Sequence, residues 1–318
     1  MIPTEDIEAI QTNIQMRYHQ DDTLNKITDK LKCIHCGGNL KQEVNHLSCV
    51  KCRTSFNFVN GVPVLLHEDS KDLLALRDTD GVLMSREYKE TASRPFQWLR
   101  RLITSEYFPS KGWKKARQRT IGKGNLLVIG SGVTQYPDAV HLDLDAFPGV
   151  DVIADAMQLP FKDHCFDAVL CEVVLEHVYQ PQKVIEEVFR ILKPNGCCFF
   201  IVPFLFPYHG HPSDYRRWSV QGLKTEFSMF DHLETGIHGG PSSSLVNLIS
   251  EWVYIITGLT YPRGYTLFKG GATALLFPLK FLDIILNRFP EAHRLASTLY
   301  IYAKKQEKTC STEMPLND

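Results

Sequence analysis

Four cysteines near the start of the chain have a spacing that suits a single metal ion. They form two Cys-x2-Cys pairs: Cys33, Cys36, Cys49 and Cys52. Each pair can occupy a tight turn that points both sulfurs inward, and four thiolates held in this way coordinate Zn²⁺ tetrahedrally. Because the thiolates fill the coordination sphere, the spacing predicts a structural zinc and not a catalytic one. Four unrelated buried thiols, or two disulfides, are the alternatives.

Residues 31–67, which contain these cysteines, resemble zinc ribbons. The stretch FNFVNGVPVLL after the second pair is similar to the closing hairpin of the small ribbons that accompany methyltransferases. The resemblance implies a module for recognition or assembly that contributes no chemistry of its own.

A glycine turn follows an apolar run in the stretch LLVIGSGVTQYPDAVHLDLD at 126–145. Gly130 and Gly132 let the chain turn sharply after a strand and approach a ligand closely. A dinucleotide site would have a third glycine where Gln135 stands, and an acid about 20 residues after the turn. Asp143 comes sooner, and no GK[ST] phosphate loop is present. The pattern therefore favours a ligand without a pyrophosphate, with Asp143 placed to bind ribose hydroxyls.

The next segment carries a more specific resemblance. ADAMQLPFKDHCFDAVLCEVVLEHV at 154–178 resembles the class I S-adenosylmethionine-dependent methyltransferases, and the likeness extends over roughly residues 124–235. It implies S-adenosyl-L-methionine as the cofactor. It also implies the following cofactor-binding residues: Gly130, Gly132, Asp143, Asp155, Ala156 and Glu172.

Each of these residues has a role in that family. The glycines lie under the methionine moiety, the first aspartate binds the ribose, the Asp-Ala pair faces the adenine, and the glutamate lines the pocket near the sulfonium. The chain departs from the pattern at Val128, where an acid is common, and at Thr134, which replaces a third glycine. The helix after the turn is also shortened to a few residues.

The loop after the fifth predicted strand, within VPFLFPYHGHPSDYRRWSVQGL at 202–223, collects polar side chains where a parallel sheet places its substrate contacts. His209 and His211 are candidate general bases for methyl transfer, and Asp214 is a candidate for orienting one of them. The alternative is that Asp214 only braces the loop. His211 and Asp214 also have the spacing of a metal pair, but since no third ligand is evident, we do not predict that this pair binds a metal ion.

Apolar runs and amphipathic stretches alternate from residue 124 onwards, which is typical of a parallel sheet covered by helices on both faces. With the resemblance, this predicts an α/β fold: a doubly wound, mostly parallel, seven-stranded Rossmann-like methyltransferase sheet with a small N-terminal zinc ribbon. The predicted parts are an N-terminal helix or arm at 1–30, the ribbon at 31–67, a helical linker at 68–123, the methyltransferase domain at 124–304 and a disordered tail at 305–318.

An apolar helical insertion is predicted at 245–290. In LVNLISEWVYIITG the polar residues fall on one narrow helical stripe, and in ALLFPLKFLDIILNRF the stripe consists of Lys280, Asp283 and Asn287. Neither segment has the roughly 18 uninterrupted apolar residues of a membrane span. One interpretation packs these helices on the domain, on a protein partner or on a second subunit. The other inserts them shallowly into a membrane surface.

Composition narrows the choice of function. The 318 residues carry a net charge of −1, which does not favour a nucleic-acid partner. Nine cysteines and an acidic N-terminus without a secretion signal predict a cytoplasmic location, with a peripheral membrane contact as the variant. We predict an S-adenosylmethionine-dependent methyltransferase acting on a small-molecule or glycan/lipid-linked acceptor. The alternatives are an rRNA base methyltransferase, for which KGWKKARQR at 111–119 offers a basic stretch, and a non-catalytic zinc-ribbon adaptor with a degenerate cofactor site.

Overall fold

A computed structural model describes residues 27–44, 46–67, 108–210, 213–258 and 262–306, without the side chains of 262–267. Several predictions fall outside this part of the chain. They concern residues 1–26 of the arm, 68–107 of the linker, 307–318 of the tail, and the candidate base His211.

The cysteine-containing segment is an antiparallel meander of four short strands. They are β1 (Leu40–Gln42), β2 (His46–Cys49), β3 (Ser55–Val59) and β4 (Val62–Leu65), each paired with the next. The turn between β3 and β4 consists of Asn60 and Gly61, with φ of 50° and 80°. Positive φ at both central residues is what a two-residue Asn-Gly hairpin requires.

Seven further strands follow from residue 126. They are β5 (Leu126–Ile129), β6 (Ala139–Asp143), β7 (Val152–Ala154), β8 (Phe166–Glu172), β9 (Leu192–Pro203), β10 (His232–Gly239) and β11 (Thr298–Lys304). Strands β5 to β9 are parallel in the order β7-β6-β5-β8-β9, and β11 pairs antiparallel with β9 and β10. β5 reads LLVI with every residue buried, as expected for a strand covered on both faces.

The described helices flank this sheet. They are α1 (Lys111–Ile121), α2 (Pro181–Ile191), α3 (Val220–Glu226), α4 (Pro241–Ile256), α5 (Pro262–Leu276) and α6 (Asp283–Leu286), with 3-10 turns at Leu175–His177, Phe277–Leu282 and Pro290–Leu295. α2 buries Val184, Val188 and Ile191, the apolar face that its 3.6-residue spacing predicts. The Ser110 hydroxyl accepts the N–H of Trp113 and caps α1.

The last strand of the meander extends the main sheet. β4 pairs in parallel with β7, with Val64 opposite Ile153 and Leu65 opposite Ala154. The described residues therefore form one mixed sheet of eleven strands, larger and less parallel than the seven-stranded sheet that we predicted. The physical reason is that the three-residue β7 would otherwise present unpaired backbone groups at a sheet edge.

In the apolar insertion, polar residues lie inside and large apolar residues lie outside. This is the reverse of what is expected for a helix pair packed on a hydrophobic core. Asp283 is fully buried and accepts the N–H groups of Ser242 at 2.7 Å and Ser243 at 2.9 Å, which caps the first turn of α4. Lys280 is also fully buried, and burial lowers its pKa to about 8. The predicted stripe thus faces inward at Asp283 and Lys280, and Asp283 satisfies the backbone at the start of α4.

The large apolar side chains of the insertion face outward. We call the following exposed residues the apolar face: Leu245, Leu248, Trp252, Ile255, Ile256, Phe268, Leu275, Leu279, Phe281, Leu282, Ile284, Ile285 and Phe289. The helices pack on the domain through buried residues such as Val246 and Ser250, but the described residues do not cover these large side chains. A protein partner, a second subunit and a membrane surface stay as the predicted alternatives for covering them. Among the described helices, none is both long enough and apolar enough to cross a bilayer.

Candidate cofactor and acceptor site

The turn after β5 depends on two glycines in the left-handed region. Gly130 has a φ of 65° and Gly132 a φ of 53°, a conformation that favours glycine over residues with a Cβ. A Cβ on Gly130 would lie 2.3 Å from Cγ2 of Val174, so the turn also approaches the loop after β8 closely. The Gly130 N–H donates to the Leu142 carbonyl at 2.8 Å, which ties the turn to β6.

Asp143, at the end of β6, is bonded directly to this turn. Its Oδ2 accepts the Gly132 N–H at 2.9 Å, and its Oδ1 accepts the Asp145 N–H at 3.1 Å. Burial raises the pKa of Asp143, and the two backbone donors act against that shift. Each carboxylate oxygen can still accept a second hydrogen bond, so both are available to the hydroxyls of a ligand.

A buried histidine braces the shortened connection, which contains no helix in residues 131–138. Nε2 of His141 accepts the Tyr136 N–H at 2.9 Å. The proton of the ring must then lie on Nδ1, which donates to Asp151 at 3.2 Å. The sequence does not reveal this pair, because two isolated residues ten positions apart form no recognisable motif.

Asp155 and Ala156 follow β7, at the same edge of the sheet as the glycine turn and Asp143. Both are buried, with 6% and 8% of their surface exposed. Oδ1 of Asp155 accepts the Met157 N–H at 2.8 Å and closes a tight turn. The carboxyl ends of β5, β6 and β7 thus bring five of the six predicted cofactor-binding residues to one edge of the sheet.

The segment that continues from Asp155, residues 155–162, is held by α2. Oε2 of Glu187 accepts the Leu159 N–H at 2.8 Å. Arg190 donates to the carbonyl oxygens of Leu159 at 3.0 Å and Phe161 at 2.6 Å. These backbone groups would otherwise be left without partners on the inner side of the loop.

The cysteine-containing segment holds the 155–162 segment from its other side. The Gln158 amide donates to the Ile34 carbonyl at 3.1 Å, and the Lys32 N–H donates to the Pro160 carbonyl at 2.9 Å. Ile34 belongs to the first Cys-x2-Cys turn. The predicted adenine contacts and the predicted metal cluster are therefore structurally connected.

Glu172, the sixth predicted cofactor residue, forms an ion pair with Arg117 of α1. Nε of Arg117 lies 2.7 Å from Oε1, and Nη2 lies 3.2 Å from Oε2. The same guanidinium donates to the Tyr136 hydroxyl, and burial raises the pKa of that tyrosine to about 12. Arg117 belongs to the basic stretch considered for RNA contact, but its charge is paired with Glu172.

Where the methyl acceptor is predicted to bind, two histidines surround a buried glutamate in the loop after β8. Glu176 is fully buried, and its Oε1 lies 3.3 Å from Nε2 of His209 and 3.9 Å from Nε2 of His177. The two imidazole rings meet edge to face at 5.0 Å between centroids. The hydrogen bond with Glu176 raises the pKa of His209, and burial opposes it.

Asp214 lies on the Nδ1 side of His209, opposite Glu176, and forms an ion pair with Arg217. Burial would raise the pKa of Asp214, but bonds from Arg217 and from the His209 N–H lower it to about 2. Its Oδ2 lies 2.6 Å from Nη2 of Arg217 and 3.3 Å from Nδ1 of His209. The structure thus places two of the three candidate acceptor-side residues, His209 and Asp214, in contact.

The four cysteines of the predicted ribbon converge on one point. Their sulfur atoms all lie within 4.8 Å of one another, with Cys33 3.6 Å from Cys52 and Cys36 3.4 Å from Cys49. Both distances exceed the length of a disulfide, about 2.05 Å, and are near the spacing of ligands about 2.3 Å from a tetrahedral zinc. The four thiols are therefore neither scattered nor oxidised in pairs.

A glycine beside this cluster allows the close approach. A Cβ on Gly38 would lie 2.8 Å from Cβ of Lys51, 3.0 Å from the Cys49 sulfur and 3.3 Å from the Cys36 sulfur. Any larger residue would therefore push the two Cys-x2-Cys turns apart. The donor set and its geometry fit a zinc ion.

Comparisons with known proteins point to methyltransferases. Residues 130–200 match the family model described as a methyltransferase domain. The chain is 38% identical over 84 residues to an uncharacterised methyltransferase of Mycobacterium tuberculosis, covering 25% of this chain and 33% of that protein. It is 46% identical over 109 residues to a demethylmenaquinone methyltransferase of Clavibacter sepedonicus, covering 32% of this chain and 43% of the relative.

Among solved structures, the chain is similar to phosphoethanolamine N-methyltransferase 2 of Haemonchus contortus in complex with phosphomonomethylethanolamine and S-adenosylhomocysteine. The identity is 15% and the TM-score 0.39, over 61% of this chain and 53% of that one. The chain spans less than half the length of the two curated relatives. The family match supports, over residues 130–200, the methyltransferase domain that the sequence predicts.

Proposed function

We propose that the protein transfers a methyl group from S-adenosylmethionine. The observation that carries the proposal is the bond between the Gly132 N–H and Asp143, which joins the glycine turn to a buried carboxylate. Asp155 stands at the same edge of the sheet, where the amino group of an adenine can find an acceptor. Glu172 and its ion-pair partner Arg117 would border the end of the cofactor site that holds the methionine moiety.

The cofactor would supply an electrophilic methyl group, and the protein would supply alignment. In-line transfer gains most of its rate from holding the acceptor atom against the methyl carbon. His209 faces the acceptor side with Glu176 and Asp214 on either side of its ring. It is our candidate for removing a proton from the acceptor, and His211 remains a prediction outside the described residues.

We propose that a structural zinc ion fills the cysteine cluster. Four convergent thiolates leave no open coordination position for chemistry. The adaptor alternative would keep this zinc and lack the cofactor. The rRNA alternative is less well supported, because Arg117 and Arg119 of the basic stretch form ion pairs with Glu172 and Glu234.

The apolar face supports an acceptor that is attached to or dissolved in a lipid. It comprises thirteen large side chains, and Arg288 is the exposed charged residue within 241–290 among those whose side chains the structure describes. The face is connected to the acceptor loop, since the Ser244 hydroxyl of α4 donates to the Leu205 carbonyl at 2.9 Å. A bilayer surface fits such a face, because the face is apolar and carries little exposed charge.

Calorimetry with S-adenosylhomocysteine tests the cofactor. The zinc-containing protein is expected to bind it selectively, with NAD as the control ligand because the turn lacks the features of a pyrophosphate site. Binding of neither nucleotide would contradict the proposed activity and favour the adaptor. Binding of NAD alone would show that the glycine turn has been misassigned.

Vesicle flotation tests the apolar face. The protein is expected to float with phosphatidylcholine vesicles, and Ile255→Glu or Ile285→Glu should lower the bound fraction about tenfold or more, since burying one isoleucine stabilises by about 1.5–3 kcal/mol. Val44→Glu is the matched control, because Val44 is 93% exposed on the ribbon, outside this face. If vesicles leave the protein unbound and sedimentation shows a dimer that Ile285→Glu dissociates, a second subunit covers the face instead.

A further inference from the structure

Glu176, His177 and His209 form a cluster that the methyl-transfer proposal does not fully use. One ligand atom from each residue can be chosen so that all three lie within 4.8 Å of one another. Oε2 of Glu176 is buried and has no hydrogen-bond partner among the described residues. A fully buried carboxylate oxygen without a partner is costly, so something must compensate for it.

The hydrogen bonds of the two imidazoles show which ring atoms face Glu176. Nδ1 of His177 lies 2.6 Å from the Ser213 carbonyl oxygen, which can only accept, so this nitrogen carries a proton. Nε2 of a neutral His177 is then a lone pair directed toward the glutamate.

His209 has the same arrangement. Its Nδ1 lies 3.3 Å from both the Pro207 carbonyl and the Asp214 carboxylate. The donor Nη2 of Arg217 is farther away, at 3.5 Å. Nδ1 therefore carries the proton, and Nε2 of a neutral His209 presents its lone pair at 3.3 Å from Oε1 of Glu176.

With both imidazoles neutral, three hydrogen-bond acceptors converge with no hydrogen between them, and a cation would satisfy all three. We propose that Glu176, His177 and His209 bind a divalent transition-metal ion. Two imidazoles and one carboxylate suit first-row ions, and such ligands characteristically donate their other ring N–H to a carbonyl or carboxylate. Ser213 supplies that carbonyl for His177, and Asp214 and Pro207 supply acceptors for His209.

Three protein ligands leave coordination positions for water or for an oxygen of a bound molecule. The cluster lies at the carboxyl ends of β8 and β9, so such an oxygen would come from the acceptor. This metal would be distinct from the ribbon zinc in its ligands. A His209 that binds the metal through Nε2 has no free nitrogen, so the metal would replace it as the group that activates the methyl acceptor. Metal binding can be measured without methyl transfer.

Cobalt titration tests the proposal. Full-length protein carrying one zinc per chain is titrated with Co²⁺ and followed by visible absorption. One equivalent is expected to bind with the spectrum of nitrogen and oxygen ligands, without the thiolate charge-transfer bands that a cobalt-substituted ribbon would show. His177→Gln and His209→Gln should each weaken Co²⁺ binding at least about tenfold, the lower end of the losses that even indirect metal partners cause.

His232→Gln is the matched control, since His232 is an exposed histidine outside the cluster, and it should bind Co²⁺ unchanged. Glu176→Gln is the more severe change because the residue is fully buried, so the two histidine variants decide the result if it does not fold. The alternative occupant is a proton on Nε2 of His209. The metal site would be overturned in favour of that proton if the parent protein failed to bind Co²⁺, or if both histidine variants bound Co²⁺ as tightly as the parent.

Discussion

Cys49→Ser is expected to lose its zinc and the folded ribbon together. Cys49 is 1% exposed and lies 3.4 Å from the Cys36 sulfur, so the lost thiolate cannot be replaced by water without opening the cluster. Zinc binding contributes about 10–16 kcal/mol of apparent folding free energy in zinc-finger peptides. The strands of this segment are only three to five residues long, so we expect the metal to contribute a large share of its stability.

Metal analysis and amide hydrogen exchange measure this outcome. The variant should contain less than one zinc per chain, and residues 31–66 should lose their protection from exchange. Protection should also fall in the 155–162 segment, because Gln158 and Pro160 bond to the ribbon backbone. Cys165→Ser is the control, since the Cys165 thiol donates to the Lys162 carbonyl outside the cluster, a bond that serine can also make. Full zinc content in Cys49→Ser would contradict the four-thiolate site.

Asp143→Ala is expected to weaken S-adenosylhomocysteine binding by ~1–3 kcal/mol, through the loss of charge-assisted hydrogen bonds to the ribose. The substitution also leaves the Gly132 and Asp145 N–H groups without their acceptor, so the turn itself should loosen. Asp143→Asn keeps one acceptor oxygen and should have an intermediate effect. Binding by the parent protein should weaken as the pH falls through the pKa of Asp143, which burial raises.

Calorimetry on the variants and on a matched control decides this prediction. Asp138 lies in the same connection, is exposed, and has a φ of 60° that asparagine tolerates. Asp138→Asn should therefore bind S-adenosylhomocysteine like the parent protein. Unchanged affinity in Asp143→Ala would remove this residue from the ribose site, whereas equal losses in both positions would point to a general effect on the turn.

The parts of the site that the sequence predicted are local in the chain. The glycine turn needs positive φ at two positions, and each cysteine pair lies on one short turn, so neighbouring residues suffice to identify them. The contacts that brace the site join distant positions: Arg117 to Glu172, and Arg190 to Leu159 and Phe161. Which distant side chains meet depends on how the strands and helices are placed, and no local pattern contains that information.

The apolar insertion shows a different limit of sequence reasoning. The helical period correctly separated a polar stripe from an apolar arc. It did not reveal which side would be buried, because the general rule directs apolar side chains inward. Here Asp283 and Lys280 are fully buried instead, since Asp283 satisfies backbone donors at the start of α4. A buried acid that caps a helix can thus reverse the polarity that periodicity alone predicts.

The parallel pairing of β4 with β7 has a thermodynamic consequence for the two proposed ligands. β7 leads directly into Asp155, and β4 ends the fold that the cysteines close. If zinc binding orders the 155–162 segment and thereby strengthens cofactor binding by some factor, bound cofactor must strengthen zinc binding by the same factor. The cofactor should accordingly protect the ribbon from chelators, so that the cell's supply of methyl donor and its supply of zinc would act on the same folded state.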